Sequence, residues 1–191
     1  GRPPLDPIGA EACRKGAHGL RSISPERLRD EMLKLLRSRS PAATIKDMIG
    51  FKVLPVILPD LADTSRLRMM EWLDSSALAD PAIMPDPLRR LAALYRAPEN
   101  TDDDFLAATD FGKALRLSND ETERFAAMIS NASLISADMS EETTRRDLYR
   151  LGADAFRDAV LIAWAARASV PPRPGSVENK QWQGLLQAAT D

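Results

Sequence analysis

Arg27, Arg29, Lys34, Arg37 and Arg39 are the residues whose chemistry stands out in this sequence. Cationic side chains at this density can neutralise phosphates, and guanidinium groups bond phosphate oxygens in pairs. With Arg21, Lys46 and Lys52 they spread over two predicted helices and their junction, a surface that suits phosphate contacts on RNA. The competing reading is an ordinary solvated face carrying pairs such as Arg27 with Glu31, four residues on. On spacing alone the solvated face is favoured, because charge runs usually serve solubility.

Other chemistries lack their residues. His18 is the sole histidine and Cys13 the sole cysteine, so neither a Ser–His pair with a nucleophile elbow nor a Cys/His metal cluster can be assembled. His18 reads instead as a partly exposed residue at the end of the first helix. The nine glycines are scattered, and neither GxxxxGK[ST] nor GxGxxG occurs. Asp102, Asp103 and Asp104 form the densest carboxylate run. Consecutive helical side chains diverge by about 100°, so the run reads as acidic residues complementing a helix dipole rather than as a Mg2+ site. The expectation is no catalytic and no metal-binding residue in this chain.

The elements that must carry the cations are helices. Ser24-Pro25 supplies a side-chain acceptor at an N-cap and a ring preset for the first turn. Leu28, Met32, Leu35 and Leu36 then recur on one helical face. Further starts are expected at Ser40-Pro41 before 42–49, Asp86-Pro87 before 88–95, Thr101 before 104–114, and Ser140 before Glu141 and Glu142. Ser118 followed by Glu121 is a capping box. Gly50 ends one helix, and 54–59, interrupted by prolines, is a buried turn or short helix. Leu67, Met70, Leu73 and Leu78 supply the next, and 155–168, around Trp164, a central apolar one. A last helix, 178–189, has no following element to support it. Alternating β-branched runs are absent, so the fold class is all-α, a multi-helix array of helical hairpins.

Composition sets the frame. The 191 residues are 44% hydrophobic and 28% charged, with a formal net charge of −2, enough for a sizeable core. The charge is uneven: residues 1–52 hold 11 Lys and Arg against 6 Asp and Glu, a balance of +5, leaving −7 for the rest. One cysteine, no run of about 20 apolar residues and no apolar signal core point to a reducing cytoplasmic setting without a membrane partner.

The pattern Ser24-Pro25-Glu26-Arg27-Leu28-Arg29-Asp30-Glu31-Met32-Leu33-Lys34-Leu35-Leu36 resembles the neck motif of bacterial class II tRNA nucleotidyltransferases, the CCA-adding enzymes, and of the related poly(A) polymerases. Met48-Ile49-Gly50 followed by the apolar 53–61 segment, and Leu115-Arg116-Leu117-Ser118-Asn119, resemble later landmarks of the family. Together they cover most of 5–170. Asp86-Pro87-Leu88-Arg89-Arg90 imitates the family's Glu-Asp-x-x-Arg motif, but Pro85 replaces the leading glutamate and the order is wrong, so it reads as a capped helix start.

The resemblance implies residues 1–52 as the end of a neck, 53–169 as a helical body, 170–177 as a proline-rich linker and 178–191 as the start of a tail helix. It also implies that both ends are cut. The catalytic head, with its aspartate pair, would lie upstream in the same polypeptide, and Mg2+ and ATP or CTP would be used there rather than here. This chain alone would be inactive and would hold tRNA or another RNA, with Arg27, Arg29, Lys34, Arg37 and Arg39 on phosphates and Glu26 and Glu31 bracing the neck. The other function considered is a helical protein-interaction scaffold that does not bind RNA.

Overall fold

The computed structural model describes residues 6–74, 83–98, 101–167 and 176–190. Within them run α1 (Pro7–Gly16), a 3-10 helix (Ala17–Ser22), α2 (Pro25–Leu36), α3 (Pro41–Gly50), α4 (Leu54–Ile57), α5 (Thr64–Trp72), α6 (Pro87–Leu94), α7 (Asp104–Ala114), α8 (Asn119–Ala132), α9 (Glu141–Leu151), α10 (Ala153–Arg167) and α11 (Val177–Ala188). The all-α reading holds. Among the described residues the sole β-type pairing is an isolated bridge between Leu61 and Tyr95.

Most helices start where their local chemistry requires. The Ser24 hydroxyl accepts from the Arg27 N–H at 3.3 Å with Pro25 in the first turn. At Ser118 the box closes both ways, with Ser118 Oγ accepting from the Glu121 N–H at 3.2 Å and the Glu121 carboxylate accepting from the Ser118 N–H at 2.9 Å. Two starts differ. Thr101 does not cap α7; Asp103 does, accepting from Leu106 N–H, because it stands next to the first helical residue. Ser40 precedes α3 without capping it, and Glu71 of α5 reaches across to accept from the Ala42 N–H at 2.6 Å. That cap is tertiary, so no local spacing signals it.

One apolar cluster extends from Met32 on α2 to Ala189 after α11. Its axis is α6, in which every residue from Leu88 to Leu94 is buried, and α10, buried from Phe156 to Ala165 except Arg157. Trp164 on α10 meets Trp72 edge-on at 6.1 Å and stacks on Trp182 at 5.8 Å. Support for α11 therefore comes from the preceding α9 and α10, on which Trp182, Leu185 and Leu186 are buried. Leu78 and the 170–175 stretch of the expected linker lie outside the described residues; Ser176 and Val177 are the N-cap and first residue of α11.

The α7–α8 hairpin is drawn tight at Gly112. A Cβ there would stand 3.0 Å from Thr122 Cγ2 and 3.2 Å from its Oγ1, and Thr122 is itself buried. Gly112→Ala is expected to cost about 1–2 kcal/mol, the overpacking outweighing the gain in helix propensity of roughly 1 kcal/mol. Thermal denaturation checks this, and an alanine variant at least as stable as the parent contradicts so close an approach.

Candidate RNA interface

The expected phosphate-contacting residues do not all share one environment. Arg27, Lys34, Arg37 and Arg39 are exposed, as are Arg21, Lys46 and Lys52. The side chains of all seven lack a hydrogen-bond or ion-pair partner among the described residues, and the expected Arg27–Glu31 pair does not form. A merely solubilising face with i,i+4 pairing is what α9 shows instead, where Arg145 bonds Glu141 at 3.0 Å. Arg27 and Lys34, seven residues apart, occupy the same side of α2, and Arg37 and Arg39 follow at its end.

Arg29 is placed elsewhere. It lies three, four and seven residues before Met32, Leu33 and Leu36, all buried, so it points along the seam toward the body. Its guanidinium bonds Asp30 at 2.7 and 2.9 Å and donates to the Arg116 carbonyl at 2.5 Å. Arg116, at φ 59°, sits in the left-handed conformation at the α7–α8 turn. Leu117 N–H bonds back to the Gly112 carbonyl there, a helix-ending arrangement in which glycine is usual. Glu26 meets the Arg116 guanidinium at 3.6 Å. The landmark at 115–119 is thus the place where the basic helix is braced, by Arg29 and Glu26 together.

The far end of α2 is held by residues that motif reading passed over. Arg90, 2% exposed, donates from Nη1 to the carbonyls of Leu36 and Ser38, each at 2.7 Å, and from Nε to Asp74 at 2.7 Å. Arg89 bonds Asp158 at 2.9 Å, and Arg124 links Asp158 at 2.8 Å to Asp86 at 2.6 Å. Arg89 and Arg90 of α6 and Arg124 of α8 balance Asp158 of α10, Asp74 after α5 and Asp86 before α6 in a network that is buried at Arg89, Arg90, Asp74 and Asp158, opens to solvent at Arg124 and terminates on the basic Arg37–Arg39 turn. Asp74 Oδ1, 3.6 Å from Arg89, has no hydrogen-bond partner, and burial pushes the Asp74 carboxyl up despite the bond from Arg90. The available signal was chemical: two consecutive arginines in the otherwise apolar Leu88–Leu94 run require buried counter-charges.

Asp86 has the opposite balance. Burial disfavours its charge, but the hydrogen bond and charge of Arg124, with the Arg89 N–H, hold its carboxyl below the ordinary value of 3.8. A depressed folded value means that Asp86 stabilises the protein fully above the unfolded value and loses that contribution as pH falls through the folded one. Asp86→Asn keeps an N-cap acceptor, so the stability gap between parent and variant is expected to shrink as pH is lowered from 7 to about 3. Urea midpoints at the two pH values test it; a gap that widens in acid contradicts the assignment.

His18 is exposed in the 3-10 helix, Cys13 is exposed and free, and Asp103 is used as a cap. No group of three or more His, Cys, Asp or Glu among the described residues is placed to hold a metal ion. Among the same residues no helix is long and apolar enough to cross a membrane.

Fold and surface together define a class: an all-α helical array with unpaired cations on a braced helix near its start. Residues 5–64, which carry all the unpaired cations named above, match the family model described as "Probable RNA and SrmB- binding site of polymerase A". Over this segment, less than half of the chain, the sequence is similar to the RNA-binding region of polymerase A. No curated protein matches the chain.

Proposed function

We propose that α2 and the α2–α3 turn hold the acceptor end of tRNA, or another RNA 3′ end, for nucleotide addition by a catalytic head in the same polypeptide. The observation that carries this reading is the set of exposed, unpaired cations within the matched RNA-binding segment. Arg27, Lys34, Arg37 and Arg39 contact phosphates, whereas Arg29 and Glu26 fix the helix that presents them. Contacts of this kind read backbone rather than sequence and release counterions. Mg2+ and ATP or CTP act in the head, where the transfer step takes place. The role of this chain is to bind and to orient.

Filter-binding titration of the purified chain with tRNA at 50 and 200 mM salt tests the reading. Four contacts, at a slope of about −0.7 each for a single strand, predict a roughly fifty-fold loss of affinity between the two conditions. Salt-insensitive or absent binding favours a protein-interaction scaffold instead.

A further inference from the structure

We infer that the cavity at the start of α2 is a nucleobase site for single-stranded RNA, an inference that rests on the RNA-holding role just proposed. The cavity, about 380 Å³, opens between the 3-10 helix, the beginning of α2, α4 with the turn after it, and the end of α7. That size falls in the range of about 300–1,000 Å³ occupied by small-molecule sites. Leu20, Ile23, Leu28, Val56 and Phe111 contribute apolar wall, against which a flat ring can lie. Two charged side chains line it, Arg21 and Asp60. Neither has a hydrogen-bond or ion-pair partner among the described residues, whereas Asp63, Asp74, Asp86 and Asp158 are all paired.

Two observations favour RNA as the occupant. Every lining residue from Leu20 to Asp60 falls inside the segment that matches the RNA-binding model, and only Phe111, Ala114 and Leu115, at and just after the end of α7, lie outside it. The polar pair also suits a nucleotide, with a guanidinium for a phosphate and a carboxylate for the donors of a base edge. A docked partner helix would need anchors repeated over two turns, roughly 10 Å of groove, rather than one cavity with a single cation and a single anion. A carboxylate only accepts, so Asp60 selects a base with an exocyclic amino group. Uracil turns two carbonyl oxygens toward it, on either side of N3–H, and is disfavoured.

Fluorescence-anisotropy titrations of the 191-residue chain with short labelled oligo(A), oligo(C) and oligo(U) test the assignment. Oligo(A) and oligo(C) are expected to bind roughly five- to tenfold more tightly than oligo(U). Asp60→Asn, whose amide can also donate to a uracil carbonyl, is expected to bring that ratio close to one, with an unchanged melting temperature. Arg21→Gln is expected to weaken all three oligomers by a similar factor and to reduce the salt slope by about one phosphate contact. Equal binding of the three by the parent, or a ratio unaltered by Asp60→Asn, overturns the base site while leaving the RNA-holding role intact. RNA affinities untouched by both substitutions assign the cavity to a polypeptide and overturn it as well. No RNA binding by the parent removes the proposed function itself.

Discussion

Arg90→Met is expected to lower folding stability by about 3–5 kcal/mol, the cost of removing one partner from a buried ion pair. The substitution leaves Asp74, whose side chain is 1% exposed, facing only the more distant Arg89, and deprives the Leu36 and Ser38 carbonyls of their donor. Arg90→Lys keeps the charge but not the fork, and a single ammonium cannot match the arrangement that spans a carboxylate and two carbonyls. It should recover only part of the loss. Removing both charges with Arg90→Met/Asp74→Leu is expected to be milder than Arg90→Met alone, because no orphaned carboxylate is then buried. Arg145→Met, which breaks an exposed pair on α9, should stay within about 1 kcal/mol. Urea unfolding of the four variants checks the series. A loss below about 1 kcal/mol for Arg90→Met would sink the idea that this network anchors α2.

The second large effect concerns binding. Replacing Arg27, Lys34, Arg37 and Arg39 together by glutamine is expected to abolish most of the salt dependence of RNA binding, so that the loss of affinity relative to the parent is roughly fifty-fold greater at 50 than at 200 mM salt, leaving the melting temperature nearly unchanged. These side chains are exposed and form no hydrogen bond or ion pair among the described residues, so the fold depends little on them. Arg29→Gln should behave in the opposite way. It loses the Arg116 carbonyl and Asp30, and so moves stability as well as affinity. Parallel titration and thermal unfolding separate the two classes. A quadruple variant that binds RNA as tightly as its parent, with the same salt slope, would place the contact surface elsewhere.

The difference between Arg29 and its neighbours marks how far the sequence could be read. Its density of cations near Ser24–Leu36 was visible at once, and so was the apolar stripe opposite. The stripe itself already puts Arg29 beside Met32 and Leu36, three and seven residues on, so its orientation was available from helical angle alone. What it meets was not: the Arg116 carbonyl comes from a turn 87 residues away. The caps follow the same division. Ser24, Asp86, Ser118 and Ser140 act within three residues of themselves and were legible. Glu71, capping a helix 29 residues earlier, was not.

By itself, then, the sequence determined the helical class, most helix starts, the apolar faces and the basic character of the first third, because these depend on residue spacing and on hydrogen bonds within a single turn. Only the tertiary structure decided which cations stay free and which become braces. It alone brought Arg89, Arg90, Arg124, Asp74, Asp86 and Asp158 from separate segments into one balanced network, buried except toward Arg124 and Asp86. It alone left Arg21 and Asp60 unpaired in the same apolar cavity. The physical reason is the same in each case. A charge is committed or available according to what surrounds it, and for these residues the surroundings are supplied by chain that is distant in sequence.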